Sequence, residues 1–423
     1  MSLQHSTGQG ETQGEPRSHA EQEGIVVPLE LGAFRILKQH IQEDGRLEVE
    51  IIATTERAPC PHCQRVSVKV HDTRPRRKRD IPLRGHGIVL ILLKRRFRCL
   101  TCRRSFTEAD QACGRRQRTT KRLREHIGKQ ARSRPVSHVA AEMQVGPRLV
   151  QTCLEEVAQV ELAKRHLSVD ETGPLPTPRY LGIDEFARRK GHRYDTILCD
   201  LDARQVLEVS AGRTKDEVSH LLERLSNCDG VEAVSMDMST TFREAVQLTL
   251  PHARIVADHF HVIQHVSKAV KKVIGRHAKS EEGKHALEGQ SPLFLRNQEH
   301  LSTEEDHSRA ALALAFPEIA AAWQLKEALR TWYATTSALT SAHDLDVWIA
   351  SVTREGPVEM RKALSAFRNW RQEILAFIDF LPTRLSNGFV EGKNNRTKAL
   401  MRQGYGYRNR RNLRLRILLE VAS

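Results

Sequence analysis

Apolar residues fall along this chain in two rhythms, and each marks out a different kind of element. Ile88-Val89-Leu90-Ile91-Leu92-Leu93 is a continuous run of strand length, far short of the roughly 18 residues a membrane helix needs. From residue 136 the spacing turns helical, with Val136, Val139, Ala140 and Met143 three and four apart. Gln144-Val145-Gly146 then makes a turn. Pro147 suits the first position of a second helix, which would run to about Gln159 and bury Val150, Leu154 and Val157. After Pro174, Pro176 and Pro178 the apolar stretches shorten, predicting strands over 180–185, 196–200 and 205–209 with a turn at Asp202-Ala203-Arg204. Residues 214–225 read as an amphipathic helix with Val218, Leu221, Leu222 and Leu225 on one face. A strand at 231–237, a helix through Val246 and a strand at 254–258 follow; mostly helical sequence then leads to a last helix opening near Ser386. The first 24 residues are polar and read as a disordered leader without a secretory signal.

Charge changes this picture in one place. The 423 residues hold 67 Lys+Arg against 52 Asp+Glu, a formal +15, yet residues 57–134 alone carry 24 basic and 5 acidic groups. The remainder is close to neutral, at −4. A basic block in an otherwise near-neutral chain points to a polyanion, with nucleic acid the first candidate. The same block holds Cys60-Pro-His-Cys63 and Cys99-Leu-Thr-Cys102, 35 residues apart. Each pair can turn two thiolates onto one ion, and two such knuckles complete a tetrahedral structural Zn²⁺ site, a zinc ribbon. A disulfide fits poorly because nothing in the sequence points to secretion. Arg76, Arg77, Lys78, Arg79, Arg95 and Arg96, lying between the knuckles, are candidates for phosphate contacts, which give affinity without reading sequence. The helical pair at 136–159 has a helix-turn-helix pattern, with Arg148 and Gln151 as base-facing candidates and a basic helix around Thr119 to Lys129 along the DNA backbone. A plain helical hairpin is the alternative.

Three aspartates, Asp184, Asp237 and Asp258, end predicted strands. Three hairpin-type strands, helix, strand, helix, strand is the order of an α/β ribonuclease-H-like core, in which the strands of Asp184 and Asp237 are neighbours. Paired carboxylates there can bracket two Mg²⁺ ions, hard cations that prefer oxygen. Such ions, roughly 3.5–4 Å apart, activate an attacking oxygen and stabilise a leaving one during in-line phosphoryl displacement. Glu391, in the first turns of the last helix, supplies a third carboxylate. Asn394 and Asn395 lie on its side of that helix, placed to hold phosphate, water or the carboxylate itself. Arg408 and Arg410, in a tract that mixes cations with aromatic rings, are further candidates for DNA contact; a solvated tail is the alternative. Trp323, Trp332, Trp348 and Trp370 all fall between Asp258 and Glu391 and read as helical core, against the sharper alternative of stacking on an unpaired base. His259, His261 and His265 read as hydrogen-bonding or phosphate-contacting groups rather than zinc ligands.

The knuckles, the helix-turn-helix pattern, GIDEFARRKGHRY at 182–194, ADHFHV at 257–262 and SNGFVEGKNNRTKALMRQGYGYRNRRNLRLR at 386–416 together resemble the ISL-three-type insertion-sequence transposases. The likeness runs from about residue 30 to the C-terminus. It implies a bacterial enzyme with an acidic-triad (DDE) domain of ribonuclease-H-like fold, Asp184 as first acid and Glu391 as third. For the second acid Asp237 is preferred, because its strand follows the hairpins and one helix. Asp258 with His261 resembles the auxiliary Asp-x-x-His motif of related transposases, which keeps Asp258 as the alternative.

The expectation is therefore a multidomain DNA transposase, cytoplasmic and at the nucleoid. The domains would be a leader (1–24), a zinc ribbon (25–112), a helix-turn-helix (113–170) and a catalytic domain (171–423) with a helical insertion over about 262–383. It would bind terminal inverted repeats, cleave a phosphodiester with Mg²⁺ and direct the freed 3′-hydroxyl at target DNA. Pairing two ends implies at least a homodimer. A non-enzymatic DNA-binding regulator using only the N-terminal modules is the main rival.

Overall fold

The computed structural model describes residues 31–420 apart from 84, 111, 114–116, 190, 192, 382–384, 405, 406 and 408, so the leader and Arg408 lie outside the described residues. The chain forms two compact units, divided between Leu123 and Arg124. Among the described residues no helix is long and apolar enough to cross a membrane.

The first unit is built from β1 (Phe34–Ile41), β2 (Leu47–Ala53), β3 (Ala58–Pro59), β4 (Val66–Ser67), β5 (Val70–Leu83), β6 (His86–Arg98) and β7 (Ser105–Thr107), and α1 (Lys121–Gln130) begins at its end. Its main sheet runs β1-β2-β6-β5, with β7 also paired to β6. The apolar run at 88–93 is the heart of β6, and Ile88, Leu90 and Leu92 pack with Val49 and Ile51 of β2. Two small hairpins, β3–β4 and β6–β7, carry the two cysteine pairs at their turns.

The second unit opens with α2 (Val136–Glu142) and α3 (Pro147–Ala163). The turn falls at the expected residues: Gln144 takes the left-handed conformation at φ 49°, while Gly146 is extended at φ −70° and caps α3. Val150, Cys153, Leu154, Val157, Ala158 and Leu162 form the buried stripe of α3. There follow β8 (Tyr180–Arg189), β9 (Arg193–Asp200), β10 (Gln205–Ala211), α4 (Lys215–Leu222), β11 (Ala233–Met236), α5 (Thr240–Thr249), β12 (Arg254–Ala257) and α6 (His259–His277). The sheet order is β10-β9-β8-β11-β12. β8, β9 and β10 are antiparallel neighbours, whereas β11 runs parallel to both β8 and β12.

Helices α7 (Glu281–Ala286), α8 (Ser291–Leu295), α9 (Thr303–Ala315), α10 (Pro317–Thr335), α11 (Ser341–Glu355), α12 (Val358–Asn369) and α13 (Arg371–Leu375) fill the stretch before α14 (Gly388–Gln403) and α15 (Arg410–Leu419). All four tryptophans are buried in that helical stretch. The indoles of Trp332 and Trp348 donate to the carbonyls of Ser341 and Leu325, which leaves base stacking without support. The last helix packs on β10 and α3. Buried Arg414 spans that junction, donating to Glu208 of β10 at 2.8 Å and to the carbonyls of Ser168 and Val169.

Candidate active site and zinc centre

Strand pairing brings the three aspartates to one end of the sheet. Gly182 of β8 pairs with Ser235 of β11, and Met236 of β11 pairs with Ala257 of β12. Asp184 and Asp237 therefore stand two residues beyond a shared pair, and Asp258 follows its strand as Asp237 does. One expectation needs correction. Asp184 does not end its strand, because β8 continues to Arg189 in a hairpin with β9. It lies instead just past the point where β11 stops pairing.

Asp184 is buried and accepts from Asn394 Nδ2 at 2.7 Å on Oδ2 and from the Glu185 N–H at 2.7 Å on Oδ1. Burial pushes its carboxyl up to about 6; the Glu185 N–H opposes this, and the neighbouring Asp237 charge adds to it. Asp237 is also raised, first by burial and then by Glu185 and Asp258, with His261 acting against them. Its Oδ1 is buried without a hydrogen-bond partner. Asp258 differs. It is 1% exposed, and both oxygens are engaged, Oδ1 by the Asn387 N–H at 3.2 Å and Oδ2 by His261 Nδ1 at 3.2 Å. That hydrogen bond holds His261 above the usual imidazole range against the opposing effect of burial, with the charges of Asp258, Asp184 and Asp237 adding to it.

Glu391 lies in the first turn of α14, half-buried, with its N–H donated to Asn387 O at 2.9 Å. One turn on, Asn394 reaches Asp184; the sequence placed it to hold phosphate, water or the Glu391 carboxylate, and its amide goes to the first acid instead. Such close docking needs Gly182. A Cβ there would sit 2.6 Å from Val390 Cγ2 and 2.9 Å from Asn387 Oδ1. Hard carboxylate oxygens, one of them orphaned and both acids raised by burial in the absence of a cation, fit a divalent cation such as Mg²⁺. Among the described residues, however, only the cysteines bring three or more ligand atoms within 4.8 Å of one another. Glu391, one turn before Asn394 on α14, does not join so tight a cluster. Sequence reading named Asn394 but missed Asn387; its one local signal is an asparagine at a helix N-cap.

Cys60, Cys63, Cys99 and Cys102 form that cluster. Their sulfurs approach to 3.7 Å for Cys60–Cys102 and 3.5 Å for Cys63–Cys99, close to the ~3.8 Å edge of a tetrahedron with Zn–S bonds of about 2.3 Å. The knuckles are built alike. Cys60 N–H bonds Arg65 O and Cys99 N–H bonds Arg104 O, and the residue after each pair, Gln64 or Arg103, adopts φ near 60°. The Cys102 N–H pulls the Cys99 thiol down to about 6 against the effect of burial, favouring the thiolate a zinc ion needs.

The basic residues divide into two groups. Lys78, Arg95 and Arg410 were expected to contact DNA, and the structure corrects all three. Lys78 is buried, its amine donating to Gln117 O and facing Asp110 at 3.5 Å. Arg95 is buried with its guanidinium on Glu108 at 2.9 Å and on the Ala53 and Thr55 carbonyls. Arg410 is drawn inward by Glu171, the Val209 carbonyl at 3.0 Å and Asp195 at 3.8 Å. In each of the three the charge is already paired with an acid of the protein. Arg76 and Arg148 are exposed, and Gln151 is half-buried. Arg77 is exposed beside Glu48, and Arg96 stands 3.7 Å from Asp72. Arg79 is half-buried, with its backbone paired to residues 118–120.

Comparison with known proteins agrees with this architecture. A transposase family model of ISL-three type matches residues 181–417. A second model, the zinc finger of transposases IS204/IS1001/IS1096/IS1165, matches residues 56–102. The transposase for insertion sequence element IS1001 of Bordetella parapertussis is 28% identical over 392 residues, covering 89% of this chain and 92% of the relative. The transposase for insertion sequence element IS1557 of Mycobacterium tuberculosis is 25% identical over 259 residues, covering 55% and 57%. The chain belongs to the ISL-three-type transposase family.

Proposed function

We propose that this transposase binds the terminal inverted repeats of its insertion sequence and carries out Mg²⁺-dependent cleavage and strand transfer at the element's ends. The zinc ribbon would hold the DNA backbone through Arg76, Arg77 and Arg96. The α2–α3 pair would act as a helix-turn-helix reading bases through Arg148 and Gln151. The β8–β12 sheet would be a ribonuclease-H-like core, with α7–α13 inserted before the helix of its third acid.

Asp184, Asp237 and Glu391 would hold two Mg²⁺ ions, which when bound supply an activated oxygen and charge neutralisation for in-line displacement. The observation that carries this assignment is the contrast between neighbours. Asp237 keeps a buried oxygen with no partner, whereas both oxygens of Asp258 are engaged inside the protein. Asn394 orients Asp184, and His261, raised by its hydrogen bond to Asp258, acts against the upward shift of Asp184 and Asp237. Bringing two ends together requires at least two copies of the chain.

Incubating the protein with Mg²⁺ and labelled DNA carrying the element's end tests this, because bound, cut and joined DNA differ in size. Asp184→Asn should abolish cutting and leave end binding intact. Unchanged cutting by that variant would rule out the assignment, and binding without cutting by the unaltered protein would favour a DNA-binding regulator.

A further inference from the structure

Asn387 ties three parts of the acidic site together, with three different groups. Its main-chain N–H donates to Asp258 Oδ1 at 3.2 Å, its side-chain Nδ2 donates to Ile183 O at 2.8 Å, and its carbonyl accepts the Glu391 N–H at 2.9 Å. Ile183 immediately precedes Asp184 in β8; Asp258 immediately follows β12; Glu391 opens α14. One residue, 1% exposed, thus bonds to the neighbour of the first acid, to the buried aspartate and to the third acid.

The local chemistry is unusual for the position. An asparagine at a helix N-cap ordinarily turns its side-chain oxygen onto a first-turn N–H. Asn387 makes no such cap. Its amide nitrogen goes to the strand instead, and Oδ1 is left buried without a partner. Forgoing a cap and burying an unsatisfied oxygen are both unfavourable, so the bonds to β8 and Asp258 dominate the placement. Gly182 makes room for it.

We propose that Asn387 is a positioning residue and that Asp258 acts through it: together they set the register of α14 against β8 and so fix where Glu391 stands relative to Asp184 and Asp237. The proposal rests on the assignment of those three acids as the metal-binding set. It gives Asp258 a clamping role in place of a ligand role. A clamp needs only an acceptor, whereas a ligand needs its charge and a free lone pair.

The test uses the full-length protein and Mn²⁺, read by metal-induced thermal stabilisation and by the electron paramagnetic resonance of bound Mn²⁺, alongside end cleavage. In Asn387→Ala the Mn²⁺ concentration for half-maximal response should rise about ten-fold or more, the range seen when groups that orient ligands are removed. Zinc content and metal-free end binding should stay as in the unaltered protein. Should Asn387→Ala fail to fold, Asn387→Ser, too short to reach Ile183 O, reads the same bond. Asp258→Asn keeps an acceptor for the Asn387 N–H but loses the charge facing His261, and should cleave more slowly yet measurably, while Asp237→Asn is inactive. An unchanged Mn²⁺ response in the Asn387 variants, or an Asp258→Asn as inactive as Asp237→Asn, would overturn the clamp. Cleavage surviving in Asp184→Asn would instead overturn the acid assignment itself.

Discussion

Neutralising Asp184 should make the metal-free protein more stable at neutral pH, although it removes the group on which the chemistry depends. The Asp184 carboxyl is raised from 3.8 to about 6, mainly by burial. Because the folded value lies above the unfolded one, its contribution favours folding below pH ~4 and is lost as pH rises through about 6. The shift corresponds to about 3 kcal/mol of unfavourable ionisation above pH 7. Asp184→Asn removes that penalty but can accept only one of the two hydrogen bonds now made from Glu185 N–H and Asn394, a loss of about 1 kcal/mol. A net gain of about 2 kcal/mol should appear at pH 8 and turn into a small loss, of up to about 1 kcal/mol, near pH 4, where the native carboxyl is already protonated. For a unit of this size that is a Tm rise of roughly 3 °C. Thermal melts of chelator-treated, zinc-retaining protein at both pH values would measure it. Saturating Mg²⁺ should then stabilise the unaltered protein by about 2–3 kcal/mol and the variant by much less. A variant less stable than the unaltered protein by the same amount at pH 4 and pH 8 would show that the carboxylate is not held against burial, and the reasoning would fail.

Gly182→Ala should destabilise the second unit by about 1–3 kcal/mol, because its Cβ meets Val390, Leu201 and Asn387; urea melts would show this, with slower end cleavage as the functional trace. Cys99→Ser should lower bound zinc from about one equivalent toward none and abolish end binding while the melting transition of the second unit persists, as metal analysis and calorimetry would report. Arg95→Ala should cost about 3–5 kcal/mol of stability by leaving Glu108 buried and unpaired. Arg76→Ala should leave stability unchanged but weaken end binding, with a salt dependence shallower by about one ion in a titration at several ionic strengths.

What could be read from the sequence was whatever depended on near neighbours. Parallel strands covered on both faces appear as apolar runs stopped by a polar residue, and Asp237 and Asp258 were visible for that reason. The cysteine spacing carried its own chemistry. The extension of β8 beyond Asp184 was hidden because Glu185-Phe186-Ala187-Arg188-Arg189 shows little apolar continuity and depends on its partner β9. The left-handed backbone of Gln144 was not visible either, because the residue types of the turn do not say which of them takes positive φ. Asn387 lay furthest from view, since its bonds reach residues 129 and 204 positions away, and no periodicity reports contacts at that distance.

The basic residues show most clearly why composition and function part company. A count treats every arginine alike, but a guanidinium can serve a phosphate only if its donors are free. Arg95 is spent on buried Glu108, Arg414 shares buried Glu208 with Arg224, and Arg410 is paired with Glu171 and Asp195. Breaking such a pair strands a charge in the interior, so these residues are fixed in place whatever DNA is present. The Arg414 pair sits where α15 joins β10, and α15 also packs on α3. An arginine-rich tail that looks like a DNA-binding tract therefore ties the proposed reading helix to the catalytic sheet. The salt dependence of end binding should follow the exposed arginines of β5 and α3, and the +19 of the basic block should overstate it by every cation that has a buried acid for a partner.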